Sequence, residues 1–134
     1  MKLIDKVLAY RAICEMMKEE WDFSFIYPLV CLMAELARDY DFFTLEEMKL
    51  VSRYGKKEAD GTVAVDGGGS FSFATTEDAA AYTAAHRKLE QLDTANPPQK
   101  ISLVCPDHIR GEWLRALLPL CEFQKAGDAH GQTA

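Results

Sequence analysis

The sequence predicts a mainly α-helical fold of the α+β class, a small helical domain with a short β-hairpin or minor strands. Apolar residues recur near helical spacing through most of residues 1–54, an alanine-rich helical segment follows a glycine-rich connection, and the segments with β character are short. The chain has 134 residues, 49% hydrophobic and 27% charged, which is typical of one globular domain. We expect this domain to cover residues 1–125. A flexible C-terminal tail with almost no apolar content covers residues 126–134.

The apolar spacing predicts two amphipathic helices in the first half of the chain. The first runs from Leu3 to Met17, with Lys6 at an angle away from the apolar residues. The second starts near Pro28, because proline is tolerated in the first turn of a helix, where its missing N–H costs little. Gly55 ends this helix as a C′ residue. The segment Thr44–Glu47 has capping-box spacing, so a separate helix that starts after DYDFF stays open as an alternative.

The stretch from Tyr54 to Phe73 reads YGKKEADGTVAVDGGGSFSF, and its glycine run is predicted to be a surface connection between helices. The flanking segments VAV and SFSF can pair as a small hairpin that would be marginal in isolation. A phosphate-binding loop needs glycines directly before a helix, with a lysine and a hydroxyl after them. An aromatic segment follows here instead, and the next lysine is Lys88. The run therefore favours a flexible connection over phosphate binding.

A third helix is predicted from Thr76, because its first turn carries carboxylates that the helix dipole favours. The segment Asn96–Pro98 ends it, and its inward stripe consists of Tyr82, His86 and Leu89. The segment KISLV then reads as a strand that turns Ile101 and Leu103 inward. We expect Asp107 to cap a fourth helix through IRGEWLRALL and CEFQ to form a final strand.

The composition argues against several classes of function. A net charge of −6 and a pI of about 5.0 disfavour direct binding to nucleic acid, which needs a surface rich in lysine and arginine. The longest apolar run, Phe25–Ala34, is about half of the ~20 residues that a membrane-spanning helix needs, so we expect no membrane association. The charged N-terminus does not fit a secretory signal, and a soluble, cytoplasmic protein is expected.

The cysteines are expected to be reduced core residues: Cys14, Cys31, Cys105 and Cys121. Cys105 and His108 lie three residues apart and are the one pair that resembles a metal or nucleophile site. Zinc would need further ligands, and no second close Cys or His pair supplies them. Closeness in sequence across a proline does not bring an imidazole to a thiol. We therefore expect no catalytic residue, no metal and no cofactor.

The candidate partner-binding residues lie between the first two predicted helices. Up to Glu47 the carboxylates outnumber the basic residues, so this half of the chain suits a protein partner with a basic surface. The aromatic run Trp21–Tyr27 forms either a core plug or an exposed interface anchor, and a core plug is favoured. The candidates are the carboxylates Glu15, Glu19, Glu20 and Asp22 and the aromatic residues Trp21 and Phe23.

Four features follow one another between Leu29 and Leu103: the helix end LVSRYGKKEADG, the glycine-rich connection, the helix AAYTAAHRKLEQL and the strand KISLV. In this order they resemble a family of small uncharacterised proteins encoded by phages and prophages, often near tail genes. The run WDFSFIYPLVCLMAEL departs from the more charged helix expected there. The resemblance implies a mobile-element origin and a role through protein contact, in the cytoplasm of the host cell.

Three functions are compatible with these observations. The first is a non-enzymatic phage or prophage accessory protein that inhibits a host defence component such as a CRISPR nuclease, which the small size and the acidic N-terminal half favour. The second is a phage tail-assembly or morphogenesis factor. The third is a small enzyme that uses Cys105 and His108. A homo-oligomer is compatible with each of them.

Overall fold

The computed structural model describes residues 1–95 and 97–125. These residues form four helices and one pair of strands, so the prediction of a mainly α-helical domain with minor strands is confirmed. The predicted tail and Asn96 lie outside the described residues. In chain order the elements are α1 (Leu3–Met16), α2 (Phe23–Tyr54), α3 (Thr76–Glu90), β1 (Ile101–Val104), α4 (Gly111–Leu117) and β2 (Cys121–Gln124).

The longest element is α2, which begins at Phe23 and not near Pro28. Pro28 therefore lies in the second turn, where it cannot donate a hydrogen bond to the carbonyl four residues earlier. Phe25 and Leu29, on either side of the proline, are both buried in the core. We attribute the earlier helix start to this packing, which outweighs the loss of one backbone hydrogen bond.

The second helix continues without a break to Tyr54, so the alternative of a separate helix after DYDFF is wrong. The Thr44 hydroxyl donates to the backbone oxygen of Asp41 at 3.0 Å, within the helix, and does not cap a new one. Phe43 is only 1% exposed, and its packing holds this segment in the continuous helix. With 32 residues α2 exceeds the length that spans a bilayer. Among the described residues, however, no helix combines such a length with the necessary apolar character.

Gly55 follows α2 as predicted, but its backbone is extended, with φ −67° and ψ 149°, and not left-handed. The requirement for glycine is steric. A Cβ atom at this position would lie 2.6 Å from the backbone oxygen of Val51 and 3.1 Å from a methyl carbon of Val63. The helix end and the connection that follows it therefore approach each other more closely than a side chain would allow.

The main hydrophobic core lies between α1, α2 and the segment from β1 to β2. Its buried side chains include Ile13, Met16, Leu29, Leu32, Leu36, Leu103, Trp113, Leu117 and Leu120. A smaller buried cluster of Leu3, Val7 and Phe43 receives Leu89 from α3. The first two helices contribute to both clusters, so the pair α1–α2 is the frame on which the other elements pack.

The two strands pair in parallel, with Ile101 beside Cys121 and Val104 beside Gln124. α4 lies between them in sequence, so the three elements form a small β-α-β unit. The predicted alternation of β1 is observed, since Leu103 is buried and its two neighbours are exposed. Both predicted strands are therefore present, and they place the end of β1 next to the start of α2.

Asp107 does not cap α4, contrary to the prediction. The helix begins at Gly111, and the backbone oxygen of Arg110 accepts hydrogen bonds from the N–H groups of Trp113 and Leu114. Asp107 is exposed in the preceding turn. The later start places Trp113 in the core, where it is 3% exposed, and this burial outweighs the preference of an aspartate for the cap position.

The glycine-rich connection between α2 and α3 is held by a tight turn. Oδ1 of Asp66 accepts hydrogen bonds from the backbone N–H groups of Gly68 and Ser70, both at 2.9 Å. Val65 and Phe71 form a single antiparallel bridge, so the predicted hairpin is reduced to one bridge. The Phe71 ring then packs edge to face on Tyr82 of α3. The segment joins helices, as expected, but it is fixed by its own hydrogen bonds and aromatic packing.

The prediction that all four cysteines are core residues is wrong. They are free thiols, but only Cys121 is fully buried, whereas Cys14 and Cys105 are half-buried and Cys31 is exposed. The apolar run that contains Cys31 is part of a helix, one side of which faces solvent. Burial raises the pKa of the Cys121 thiol to about 11.

Candidate protein-interaction site

The connection between α1 and α2 presents exposed apolar and acidic side chains, which we call the turn surface, together with one exposed base, Lys18. The first helix ends at Met16 and the second begins at Phe23, so residues 17–22 form the connection. The turn surface consists of Met17, Glu19, Glu20, Asp22, Phe23 and Tyr27, all of which are exposed. Three of the sequence-predicted carboxylates and one of the predicted aromatic residues therefore lie together on it.

Trp21 fixes the shape of the connection. Its indole Nε1 donates to the backbone oxygen of Met16 at 2.6 Å, at the end of α1. The ring stacks on His108 with a centroid distance of 4.3 Å, and it packs at 5.2 Å from the Phe25 ring. It also meets the edge of the buried Trp113 at 5.9 Å. Trp21 is therefore a fixed support beneath the turn surface.

Phe23 and Tyr27 are the exposed aromatic residues of the turn surface, one helical turn apart on α2. Phe23 is 89% exposed and Tyr27 is 69% exposed, whereas Phe25 between them is buried. The prediction of a core plug is therefore right for Phe25 and wrong for Phe23 and Tyr27. The helix explains the difference, because residues four apart share one face and a residue two positions away lies on another.

Shallow apolar depressions adjoin these two rings. One, of about 540 Å³, is lined by Phe23 and Tyr27 together with Ile26 and Val30. The other, of about 490 Å³, lies between Phe23 and Met17. The turn surface thus combines projecting rings with hollows beside them, a shape that suits apolar side chains of another protein.

Two of the four candidate carboxylates make contacts within the chain. Oε2 of Glu15 accepts a hydrogen bond from Nε1 of Trp113 at 3.0 Å. Glu19 lies 3.6 Å from the guanidinium of Arg110, which itself sits 4.7 Å from the centroid of the Trp113 ring. Both carboxylates therefore hold α4 against the end of α1. Glu15 in particular satisfies a buried donor, so it is a weaker candidate for partner contact than its sequence context indicates.

Glu20 and Asp22 are the carboxylates that remain for a partner. Both are exposed, and neither forms an ion pair within residues 1–95 and 97–125. The backbone oxygen of Asp22 accepts the first helical hydrogen bonds, from Phe25 and Ile26, while its side chain makes no capping bond. These two charges therefore form an acidic rim next to the exposed Phe23.

The carboxyl end of β1 and the start of α2 enclose a cleft of about 740 Å³, on whose wall Cys105 and His108 lie. The Cys105 thiol donates to the backbone oxygen of Pro106 at 3.7 Å, and the His108 ring stacks on Trp21. Neither contact orients an imidazole toward a thiol, as a nucleophilic pair requires. Within the described ranges, no three His, Cys, Asp or Glu side chains are grouped to hold a metal ion. The observed contacts of both residues are structural.

His86, which the sequence placed on the inward stripe of α3, joins α3 to α2. Its Nε2 lies 2.7 Å from a carboxylate oxygen of Glu47, and its Nδ1 lies 3.5 Å from Glu90. The ring stacks on Tyr82 and meets the Phe43 ring edge to face. Burial, together with the nearby carboxylates of Glu47 and Glu90, raises the pKa of Tyr82. His86 thus joins α3 to α2 through a polar contact with Glu47 and an aromatic contact with Phe43.

An ion pair between α1 and α2 buries Lys6, although the sequence predicted that Lys6 lies away from the apolar side of its helix. Lys6 is 3% exposed, and its Nζ lies 2.8 Å from Oδ2 of Asp39. Both residues line a cleft of about 690 Å³ between the start of α1, the middle of α2 and the segment after α3. The two residues are 33 positions apart, so no local spacing could have indicated the pair.

No family model matches the sequence, and no curated protein and no solved structure is significantly similar to it. The observations that bear on function are therefore those of the chain itself. They define a small, mainly α-helical domain with a fixed, acid-rimmed aromatic surface at one helix connection.

Proposed function

We propose that the chain is a non-enzymatic protein-binding module that docks through the turn surface. The observation that carries this proposal is the exposure of Phe23 and Tyr27, 89% and 69%, on adjacent turns of a helix. Large aromatic side chains dominate the binding energy of many protein interfaces, and leaving two of them together in water is unfavourable. A partner that covers them would gain the free energy of burying both rings.

The support beneath these rings favours binding at this position. Trp21 is hydrogen-bonded to the end of α1 and stacked on His108, so the connection that carries Phe23 has a defined shape. A preorganised surface loses less conformational entropy on association than a mobile loop would. Phe23 is therefore held in a defined position before a partner binds, which favours binding at the turn surface.

The charge of the turn surface indicates the chemistry of the partner. Glu20 and Asp22 are exposed beside Phe23, and the chain as a whole carries a net charge of −6. A partner with lysine or arginine around an apolar site would be steered toward this surface and held in one orientation. A nucleic-acid-binding protein has such a surface.

The specific form of the proposal is a phage or prophage accessory protein that inhibits a host defence component such as a CRISPR nuclease. It is supported by the resemblance over Leu29 to Leu103 and by the acidic charge, which would compete with nucleic acid for a basic surface. A tail-assembly or morphogenesis factor is the alternative. A neighbouring cluster of anti-defence genes would favour inhibition, whereas a tail operon would favour assembly.

The test begins with recovery of a partner from host lysate and continues with the purified pair. Calorimetry would compare the wild type with Phe23→Ser/Tyr27→Ser and with the control Leu118→Ser, a residue 52% exposed outside the turn surface. We expect the double variant to bind at least about tenfold more weakly, and the control to bind as the wild type does. Equal affinity of all three would overturn the assignment of the turn surface. A recovered nuclease whose cleavage is unchanged at saturation would overturn the inhibitor form of the proposal.

A further inference from the structure

The strand β1 pairs with β2 along one edge, and within the described residues no other strand lies beside it. The N–H groups of Ile101 and Cys105 donate to the backbone oxygens of Leu120 and Gln124, at 3.2 Å and 2.7 Å. Because successive residues of a strand direct their backbone groups to opposite edges, the odd-numbered residues of β1 face β2. The even-numbered residues therefore direct both of their backbone groups to the other edge.

Ser102 and Val104 carry the backbone groups of this open edge. Neither residue makes a backbone hydrogen bond within residues 1–95 and 97–125. Both are exposed. Their N–H and C=O groups thus form a row of alternating donors and acceptors, which is the pattern that another extended chain satisfies when it joins a sheet as an added strand.

The open edge forms one wall of the cleft of about 740 Å³ described above, which we call the edge cleft. Its lining includes Ser102, Leu103 and Val104 but no residue of β2. Leu103 is buried and its two neighbours are exposed, so a cleft that touches all three runs along the edge of the strand. The start of α2, with Ser24 and Pro28, forms the other wall. Space for an added chain therefore lies directly beside the open backbone groups.

Aromatic stacking joins the two walls of the edge cleft. Trp21, which precedes α2, and His108, which follows β1, both line the cleft, and their rings stack at a centroid distance of 4.3 Å. The Trp21 indole is also hydrogen-bonded to the end of α1. The cleft thus has a defined width before a ligand enters, which lowers the entropic cost of binding.

The lining of the edge cleft is acidic. It contains Glu20, Asp22 and Asp107 but no lysine or arginine. None of the three carboxylates forms an ion pair in the part of the chain that the structure describes. In addition, Pro28 has no N–H, so the backbone oxygen of Ser24 lacks its usual helical donor. These acceptors favour a ligand with cationic side chains.

The basic residues closest in sequence lie outside this lining. Arg110 and Lys100 form ion pairs with glutamates that do not line the cleft. Lys18 is exposed in the α1–α2 connection, and Lys125 follows β2, which pairs with the opposite edge of β1. His108 is the one side chain of the lining that can become cationic, and its ring is stacked on Trp21. The acidic character of the cleft is therefore retained.

We infer that the edge cleft binds an extended peptide segment that carries lysine or arginine, as a third strand beside β1. Ser102 and Val104 hydrogen-bond to its backbone, and the three carboxylates attract its cationic side chains. A second copy of the chain fits less well, because pairing of two β1 edges would bring the same carboxylates together.

This inference goes beyond the proposed function. The edge cleft shares Glu20 and Asp22 with the turn surface, but Phe23 and Tyr27 are absent from its lining. The open strand edge and the exposed aromatic residues are separate observations, so either binding site can fail while the other holds.

Fluorescence anisotropy of the full chain with a short, terminally blocked peptide of alternating lysine and valine tests the inference. We expect a dissociation constant between micromolar and millimolar. The same peptide with every backbone amide N-methylated keeps its charge but loses its N–H donors, and is expected to bind at least about tenfold more weakly. A peptide of alternating glutamate and valine should bind equally poorly. Failure of the lysine peptide to bind at about millimolar concentration, or equal binding of the methylated peptide, would overturn the inference.

Charge variants separate the edge cleft from the turn surface. Asp22→Asn/Asp107→Asn is expected to weaken binding of the lysine peptide about tenfold. The control Glu58→Gln/Glu77→Gln removes two exposed carboxylates elsewhere and should bind as the wild type does. Phe23→Ser/Tyr27→Ser should also retain wild-type affinity for this peptide. If only the aromatic variant loses affinity, the peptide binds at the turn surface and the edge cleft is wrong.

Hydrogen exchange measured by NMR tests the strand addition directly. In the free chain the amides of Ser102 and Val104 are expected to exchange faster than that of Leu103, which faces β2. The lysine peptide should slow exchange at Ser102 and Val104 at least about tenfold. Unchanged exchange at both amides with the peptide bound would overturn the inference. Protection of both amides on self-association, without peptide, would instead assign the edge to a second copy and would equally contradict it.

Discussion

The carboxylate of Glu15 accepts a hydrogen bond from the indole N–H of Trp113 at 3.0 Å, across 98 positions of sequence. Trp113 is 3% exposed, and Glu15 is the acceptor that its indole N–H has in the structure. Glu15 itself is exposed to solvent, but its carboxylate accepts a hydrogen bond from a core residue. The acidic character of the α1–α2 connection is therefore partly a requirement of the fold.

Replacement of Glu15 by alanine is expected to lower the free energy of unfolding by about 1–3 kcal/mol, because a buried donor is left without an acceptor. Urea denaturation measures the loss. Glu15→Gln keeps an acceptor oxygen and is expected to recover most of the stability. Glu20→Ala, a change of an exposed carboxylate on the turn surface, should alter stability by less than about 0.5 kcal/mol. Equal losses for Glu15→Ala and Glu20→Ala would contradict the role of this hydrogen bond.

The pair of Lys6 and Asp39 should respond asymmetrically to mutation. Asp39→Ala leaves a buried ammonium without its carboxylate and is expected to destabilise the fold by about 2–3 kcal/mol, since Asp39 is partly exposed. Lys6→Met with Asp39→Leu removes both charges and should be far milder than Asp39→Ala alone. Glu46→Ala breaks the exposed pair with Lys49 and serves as the control, with a loss below about 1 kcal/mol. Similar losses for all three, measured by urea denaturation, would show that burial of Lys6 is unimportant.

Gly55→Ala is expected to destabilise the end of α2 by about 1–3 kcal/mol, because the added methyl group would lie 2.6 Å from the backbone oxygen of Val51. Gly67→Ala is the matched control, since a Cβ atom there meets nothing within 4 Å. We expect the control to unfold within about 0.5 kcal/mol of the wild type. Thermal unfolding distinguishes the two substitutions, and a Gly55→Ala variant as stable as the control would mean that the chain relaxes here without cost.

The thiols should differ in reactivity at neutral pH. Cys31 is exposed and Cys121 is buried, and burial raises the pKa of Cys121 to about 11. Alkylation followed by mass spectrometry is expected to modify Cys31 first and Cys121 only on unfolding. Modification of Cys121 in the folded protein at the rate of Cys31 would contradict this order.

The same thiol links stability to pH at the alkaline end. In the unfolded chain Cys121 ionises near its ordinary value of 9.0, whereas in the folded chain it stays neutral up to about 11. Its contribution to stability is therefore complete below about pH 9 and is lost as the pH rises toward 11. The fall in unfolding free energy between these two values should be smaller in Cys121→Val, which has no thiol to ionise. An equal fall in both proteins would assign the pH dependence to other groups.

Local signals in the sequence predicted most of the fold. The carboxylates of its first turn predicted that α3 starts near Thr76, and the helix does start there, with Thr75 accepting a hydrogen bond from the N–H of Asp78. The first strand was predicted from its alternation, and the segment CEFQ was predicted as the second; both are present. The start of α2 was missed, because the rule for Pro28 is local, whereas the burial of Phe25 and Leu29 depends on the whole core.

The candidate site was predicted in its position but not in its details. The connection from Glu19 to Phe23 was singled out, but which of its side chains face solvent depends on where α2 begins. A helix that starts at Phe23 and not near Pro28 exposes Phe23 and buries Phe25. The bond from Glu15 to Trp113 and the pair of Lys6 and Asp39 join residues far apart in the chain. Such contacts are set by tertiary packing, which spacing along one sequence does not encode.

The length of α2 has a consequence for labelling. Its 32 residues correspond to a rod of about 48 Å that carries the turn surface at one end. The exposed Ser52 lies near the other end, more than about 40 Å from Phe23 along the helix axis. A fluorescent dye attached there would leave the turn surface free for a partner and would still report how fast the whole complex tumbles.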